Sequence, residues 1–264
     1  MGSATASRRF LRHPRLAACL IWAALAGLGV VFVSAAVAIG PFTSGTTGFD
    51  VSYPNCTSTL PSGDALAVVG LTHGRPFTTY SCASSLWAAA RAATNNATPS
   101  AYFNTGYAGA YAKDIAGPCP TSVGSAGVFS GLSGHTLSQA QQAWKIGCSE
   151  AYFASTHAPG TPALWFADVE TGNSWSTNVT LNRFAIDGLS YEMQALGGGG
   201  MYSSPVMWST ITGSASWGPT PAAEANWVTG QGGVCPSSSL FDSASPTWLS
   251  QGAAVNGVDG DLAC

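Results

Sequence analysis

Charge is what this sequence has least of. Only 8% of its 264 residues are Asp, Glu, Lys or Arg, against roughly 25% in an ordinary soluble domain. With 46% hydrophobic residues beside that figure, a disordered chain, which stays open through high charge and low apolar content, is excluded. Basic charge is scarcer still. Four of the nine basic residues, Arg8, Arg9, Arg12 and Arg15, precede Leu16, while all twelve acids follow Phe49. The remainder holds five bases against twelve acids, a balance of −7. A polyanion needs a basic face, so nucleic acid is set aside as a partner.

Several motifs are also missing. No Cys-x-x-Cys occurs, which excludes zinc-ribbon and thioredoxin-like chemistry. The first strand candidate runs into "DVSYPNC" rather than a Gly-rich phosphate turn, so an open doubly wound nucleotide-binding sheet is only the second choice of fold. The run Gly197 to Gly200 follows a helical pattern and reads as a helix stop. Neither Gly-x-Ser-x-Gly nor His-Glu-x-x-His accompanies His73, His135 or His157, which removes serine-hydrolase and zincin readings. No cofactor and no metal are expected.

What is present begins with an export segment. Leu16 to Gly40 is 25 residues without a charge, behind the basic cluster "RRFLRHPR". It is either a signal peptide with a small-residue site at Ala36-Val37-Ala38, or an uncleaved anchor helix long enough to span about 30 Å of hydrocarbon. Either places the rest of the chain outside the cytoplasm, extracellular or in the cell envelope, and touches a membrane only through this segment. Six cysteines remain, Cys56, Cys82, Cys119, Cys148, Cys235 and Cys264. An even set in an exported chain predicts three disulfides, with fifteen possible pairings. The expected organisation is residues 1–40 as signal or anchor, 41–47 as a flexible linker, and 48–264 as one domain, a monomer.

Within that domain eight short apolar runs read as strands: Gly48 to Ser52, Leu66 to Leu71, Ser100 to Asn104, Leu164 to Glu170, Gly200 to Ser203, Ala225 to Thr229, Thr247 to Gln251 and Val258 to Leu262. Helical patterns over Ala83 to Thr94, Ser138 to Ser155, Leu181 to Leu196 and Val206 to Ile211 interleave with them. The alternation predicts an α/β fold, an irregular (β/α)8 TIM-like barrel short of helix in its later units.

The scarce charges then acquire a pattern. In "LWFADVETGNSW", Asp168 and Glu170 are two residues apart at the end of an apolar run, so on a strand they share a face, about 6.6 Å apart along the chain. That end of a barrel strand is where active sites are built. The first strand carries Asp50 and the last carries Asp259 and Asp261, and barrel closure makes first and last neighbours. Clustered carboxylates raise one another's proton affinity. A protonated acid beside an ionised partner is the equipment for cleaving a glycosidic bond. Taken alone, an Asp-x-Glu is more often a hydrated strand end or a calcium or magnesium site; the acids at both ends of the chain favour catalysis. Tyr53, Trp175, Tyr202 and Trp208 all fall at or just past strand ends, where flat rings stack on sugar faces.

With "GFDVS", "LWFADVETG", "GGMYSSPVMW" and "GVDGDL" in order, the chain resembles the glycoside hydrolase family 25 lysozymes and their actinobacterial relatives over most of residues 48–264. The resemblance implies an irregular (β/α)8 barrel that cleaves between N-acetylmuramic acid and N-acetylglucosamine, with peptidoglycan or another cell-envelope polysaccharide as partner. It implies Glu170 as general acid, Asp168 as its carboxylate partner at the transition state or the acetamido group, and Asp50 as the first-strand aspartate. The last-strand aspartate is Asp259 or Asp261, with Asp259 preferred because it follows apolar Val258. The chain departs from the family at Tyr53-Pro54-Asn55-Cys56, at Gly70 and His73, and at Phe103-Asn104, where the family usually offers a His. Asn104 and Asp261 join the aromatics as candidate substrate-binding residues. A barrel that binds such a glycan without turning it over is the alternative to a hydrolase.

Overall fold

A computed structural model describes residues 40–119, 128–255 and 257–264. The expected signal or anchor segment lies outside them. Among the described residues no helix is long and apolar enough to cross a membrane.

Eight strands close into one barrel in chain order: β1 Thr47–Val51, β2 Leu66–Gly70, β3 Ser100–Asn104, β4 Trp165–Asp168, β5 Gly199–Ser203, β6 Ala225–Val228, β7 Thr247–Val255 and β8 Val258–Ala263. The first seven run parallel. β8 is antiparallel to both β7 and β1, a departure from the expected eightfold βα repeat. Its physical cause is the short connection: two residues separate β7 from β8, enough for a hairpin but not for the crossover that a parallel pair needs. The open doubly wound sheet is overturned by this closure.

Strand periodicity sorts the apolar residues into two cores. Leu66, Val68, Leu164, Phe166, Tyr202, Trp227 and Leu249 form one cluster inside the barrel. Their neighbours in sequence, Ala67, Val69, Trp165, Ala167, Met201 and Val228, belong to a second cluster with Leu86, Ile186, Leu189 and Trp208 from the helices. Asp50, Asp168 and Gln251 share the parity of the inner set and continue it toward the C-terminal ends of the parallel strands.

The helices are α1 Ala83–Ala93, α2 Gly134–His157, α3 Val179–Ala195 and α4 Pro205–Thr212. Asn178 caps α3 by accepting from the Thr180 and Leu181 amides. Ser204 caps α4, Pro205 fills its first turn and Gly213 closes it in the left-handed region, the usual polarity of such signals. α2 and α3 pack backbone to backbone. A Cβ on Gly147 would lie 1.9 Å from the Ala185 carbonyl oxygen, and one on Gly188 would lie 2.0 Å from that of Trp144. Glycine inside a helix costs about 1 kcal/mol relative to alanine; here it permits a crossing that no side chain allows.

The disulfides join neighbours in sequence: Cys56–Cys82, Cys119–Cys148 and Cys235–Cys264. The stretch expected as a flexible linker, 41–47, is instead held on the barrel. Phe42 is buried in the inner cluster, and the Gly45 amide donates to the Ala263 carbonyl at 2.8 Å. An apolar ring beside open strand ends gains more from burial than a linker gains from freedom.

Candidate active site

The parallel strands deliver their C-terminal ends to one mouth, and the residues there line a cleft of about 250 Å³: Asp50, Tyr102, Asp168, Glu170, Tyr202, Trp227, Gln251 and Asp259. Four carboxylates from three distant parts of the sequence thus meet. Asp50 and Asp259 face each other across the β1–β8 pair. Asp168 pairs in register with Asn104 on one side and Tyr202 on the other. Glu170 lies just past the end of β4.

Asp168 is the most constrained of the four. Its side chain is buried, Oδ2 accepts from Asn104 Nδ2, and Oδ1 is buried with no hydrogen-bond partner. Burial first, then the Glu170 and Asp50 charges, push its pKa well above the usual carboxylate range. Asn104 is itself oriented by Thr72, whose hydroxyl donates to Asn104 Oδ1 at 2.8 Å and accepts from the Asn104 amide at 2.8 Å. The loop after β4 folds back on the strand end. Asn173 Nδ2 and Thr105 Oγ1 donate to the Asp168 carbonyl at 3.0 and 2.6 Å, and Trp175 Nε1 donates to the Glu170 carbonyl at 3.0 Å. Glu170 is half-buried, which raises its pKa.

On the opposite wall, burial raises Asp50 to about 7; the Gln251 hydrogen bond pulls it down, and Asp259 and Glu170 push it up. Gln251 Nε2 donates to Asp50 Oδ2 at 2.9 Å, while Gln251 Oε1 accepts from Tyr202 and Thr229 hydroxyls, both at 2.7 Å. With its oxygen doubly engaged, the amide can turn only its nitrogen toward Asp50. Asp259 is half-exposed and raised by burial.

The two last-strand aspartates separate clearly. Asp259 lines the cleft, whereas Asp261 pairs with Gly48, two residues deeper. There Asp261 Oδ1 accepts from Trp227 Nε1 at 2.8 Å, and burial keeps its proton affinity well above the ordinary value.

The expected aromatic ring around the mouth requires correction. Of Tyr53, Trp175, Tyr202 and Trp208, only Tyr202 lines the cleft. Trp208 is fully buried, its Nε1 donating to the Trp217 carbonyl at 2.9 Å and its ring packed on Trp217 and Phe241. It sits on α4, where it faces the core rather than the mouth. Tyr53 is exposed, packed against His73 with ring centroids 4.3 Å apart. Trp175 lines a separate hollow with Thr171, Ser176 and Thr210. Sequence reading also missed three cleft residues, Tyr102, Trp227 and Gln251. Each occupies an inward position on an expected strand, so strand parity was the signal available. Tyr102 reaches the cleft over Gly70, where a Cβ would come within 2.6 Å of its ring.

No protein-family model and no curated protein matches this sequence. Among solved structures the chain is similar to the bacterial lysozyme from Streptomyces coelicolor, at 18% identity and a TM-score of 0.54, covering 84% of this chain and 93% of that one. It is likewise similar to a family GH25 lysozyme from Aspergillus fumigatus, at 14% identity and a TM-score of 0.55, covering 83% and 93%. At these identities the likeness speaks for architecture: this chain has the fold of the family 25 lysozymes.

Proposed function

We propose that the chain is a muramidase-like glycoside hydrolase acting on peptidoglycan or a related cell-envelope glycan. The observation that carries the reading is Asp168, a buried carboxyl with one unpartnered oxygen, in the same cleft as Glu170, Asp50 and Asp259. Four carboxyls so close cannot all ionise, so the cluster retains protons into the neutral range. Glu170, half-buried and raised, is the general acid. It gives its proton to the glycosidic oxygen as the bond to the anomeric carbon breaks. Water supplies the hydroxyl that ends on that carbon, and its remaining proton returns to Glu170. Asp168 stabilises the positive charge that develops on the sugar, or holds the acetamido group; as that charge grows, its ionised form is favoured. Gln251 and Asn104 position Asp50 and Asp168, and Tyr102, Tyr202 and Trp227 supply the walls.

The three disulfides support an oxidising location, and we place the protein outside the cytoplasm, delivered by the N-terminal apolar segment. The likeness to lysozyme structures supports the same chemistry. The test is incubation of the chain with purified cell walls and analysis of the fragments for new reducing ends. Release that Glu170→Gln abolishes while wall binding persists supports a hydrolase. Binding without release by either form identifies a glycan-binding barrel, and neither binding nor release overturns both.

A further inference from the structure

Two of the five basic residues that follow the export segment, Arg75 and Lys113, line one pocket of about 320 Å³ together with Phe77, Thr78, Tyr111 and Asp114. Arg75 comes from the loop after β2, and Lys113 from the 3-10 turn Gly109–Asp114 after β3. Both loops leave the barrel at the end that carries the acid cleft, and both cations are exposed. In a domain with a balance of −7, two of its five basic residues converge here.

The pocket is built on a fixed floor. Phe77 packs against Tyr111 and Phe153, each with centroids 5.7 Å away, and takes a φ of 55°. For a bulky residue that conformation is strained; it persists only where surroundings over-determine it, which is common beside ligands. Thr78 Oγ1 accepts from the His73 amide at 2.9 Å and donates to the Arg75 carbonyl at 2.6 Å, which closes the loop on itself. Thr72, in the same loop, holds Asn104, and Asn104 holds Asp168. The loop carrying Arg75 is therefore tied to the proposed catalytic carboxyls.

Resting on the hydrolase reading above, we propose that the Arg75–Lys113 pocket is a subsite for one acidic group carried by the glycan substrate, a carboxylate or a phosphate ester. The acid cleft alone repels an anionic polymer. A guanidinium and an ammonium at the same end of the barrel turn that repulsion into orientation, since the first takes a planar oxyanion in a fork and the second supplies a point charge. Tyr111 adds a hydroxyl donor. Asp114 offsets part of the positive charge, which matches the pocket to a single anionic group.

The experiment compares the full chain with R75A/K113A and R75E/K113E on three substrates: intact walls, walls stripped of phosphate polymers, and glycan strands stripped of peptides by an amidase. On intact walls kcat/KM is expected to fall roughly tenfold in R75A/K113A, mostly through KM, and further in R75E/K113E. The variants should also lose whatever preference the wild type shows for the acid-bearing substrate. A preference lost on peptide removal assigns a peptide carboxylate, one gained on it assigns the lactyl carboxylate that amide cleavage frees on the sugar, and one lost on phosphate removal assigns the ester. Wild-type kcat/KM in both variants on all three substrates overturns the proposal and leaves the hydrolase standing. If the chain cleaves no wall, the pocket is judged by NMR titration with inorganic phosphate and acetate. Shifts around Arg75 and Lys113 that vanish in R75A/K113A uphold an anion site, and their absence overturns it.

Discussion

Asp50 on β1 lies directly opposite Asp259 on β8 in the antiparallel pair that closes the barrel. Burial is what raises Asp50 most; the Gln251 hydrogen bond acts against that rise, and the facing Asp259 charge adds to it. Asp259→Asn is expected to lower the Asp50 pKa from about 7, and Gln251→Leu to raise it, because the amide hydrogen bond stabilises only the ionised form. Carboxyl-carbon NMR titration of the three proteins measures both. Identical midpoints would remove the coupling on which the cleft's chemistry rests.

Stability should fall as pH rises. Asp50 and Asp187 each titrate at about 7 in the folded chain, both raised chiefly by burial from an ordinary value of 3.8. Between pH 4 and 7 the folded state therefore holds protons that the unfolded state has released. By linkage, stability is full below about pH 4, declines to about pH 7, and is level above, by at most about 2–4 kcal/mol per group. Calorimetric Tm at pH 4.5 should exceed that at pH 8, roughly by several degrees. Asp50→Asn and Asp187→Asn should each flatten the slope.

Activity should show an alkaline limb owned by Glu170. A general acid works only while protonated, so the rate falls as pH rises through its elevated pKa. The Glu170 charge raises Asp50, and the same interaction read in reverse means that an ionised Asp50 raises Glu170. Asp50→Asn should move the alkaline limb to lower pH. Glu170→Gln should cost about 10²–10⁴ in kcat, the usual worth of a positioned acid, with far-UV circular dichroism unchanged. A Glu170→Gln enzyme within threefold of wild type, roughly, would reassign the acid.

Helix contact supplies a stability test far from the cleft. Gly147→Ala or Gly188→Ala drives a methyl into a facing carbonyl oxygen, which α2 and α3 can relieve only by moving apart. Each should cost about 3 kcal/mol in denaturant unfolding. The double variant should cost less than the sum, since one separation relieves both clashes. Additive losses would show that the two glycines act on different contacts.

Much of this protein was legible in its residues because local signals are short-range. All eight strands and four helices follow from apolar periodicity, with the Gly197 to Gly200 run as a helix stop, and their positions hold to within a few residues. Asp168 and Glu170 stood out because two of only twelve acids share one face at the end of an apolar strand, with Asp50 and Asp259 on the first and last strands to join them. What tertiary structure alone decided depends on which distant residues become neighbours. Strand direction separated Asp259 from Asp261: β8 turns back after two residues, so its first aspartate reaches the mouth and its second sinks beneath Trp227. Trp208, just past a strand end in sequence, faces the core because packing on Trp217 and Phe241 fixes which side of α4 is buried. Disulfide pairing, the hold of Gln251 on Asp50, and the meeting of Arg75 with Lys113 likewise carry no local signature, because closure of the barrel, and not any stretch of chain, sets those distances.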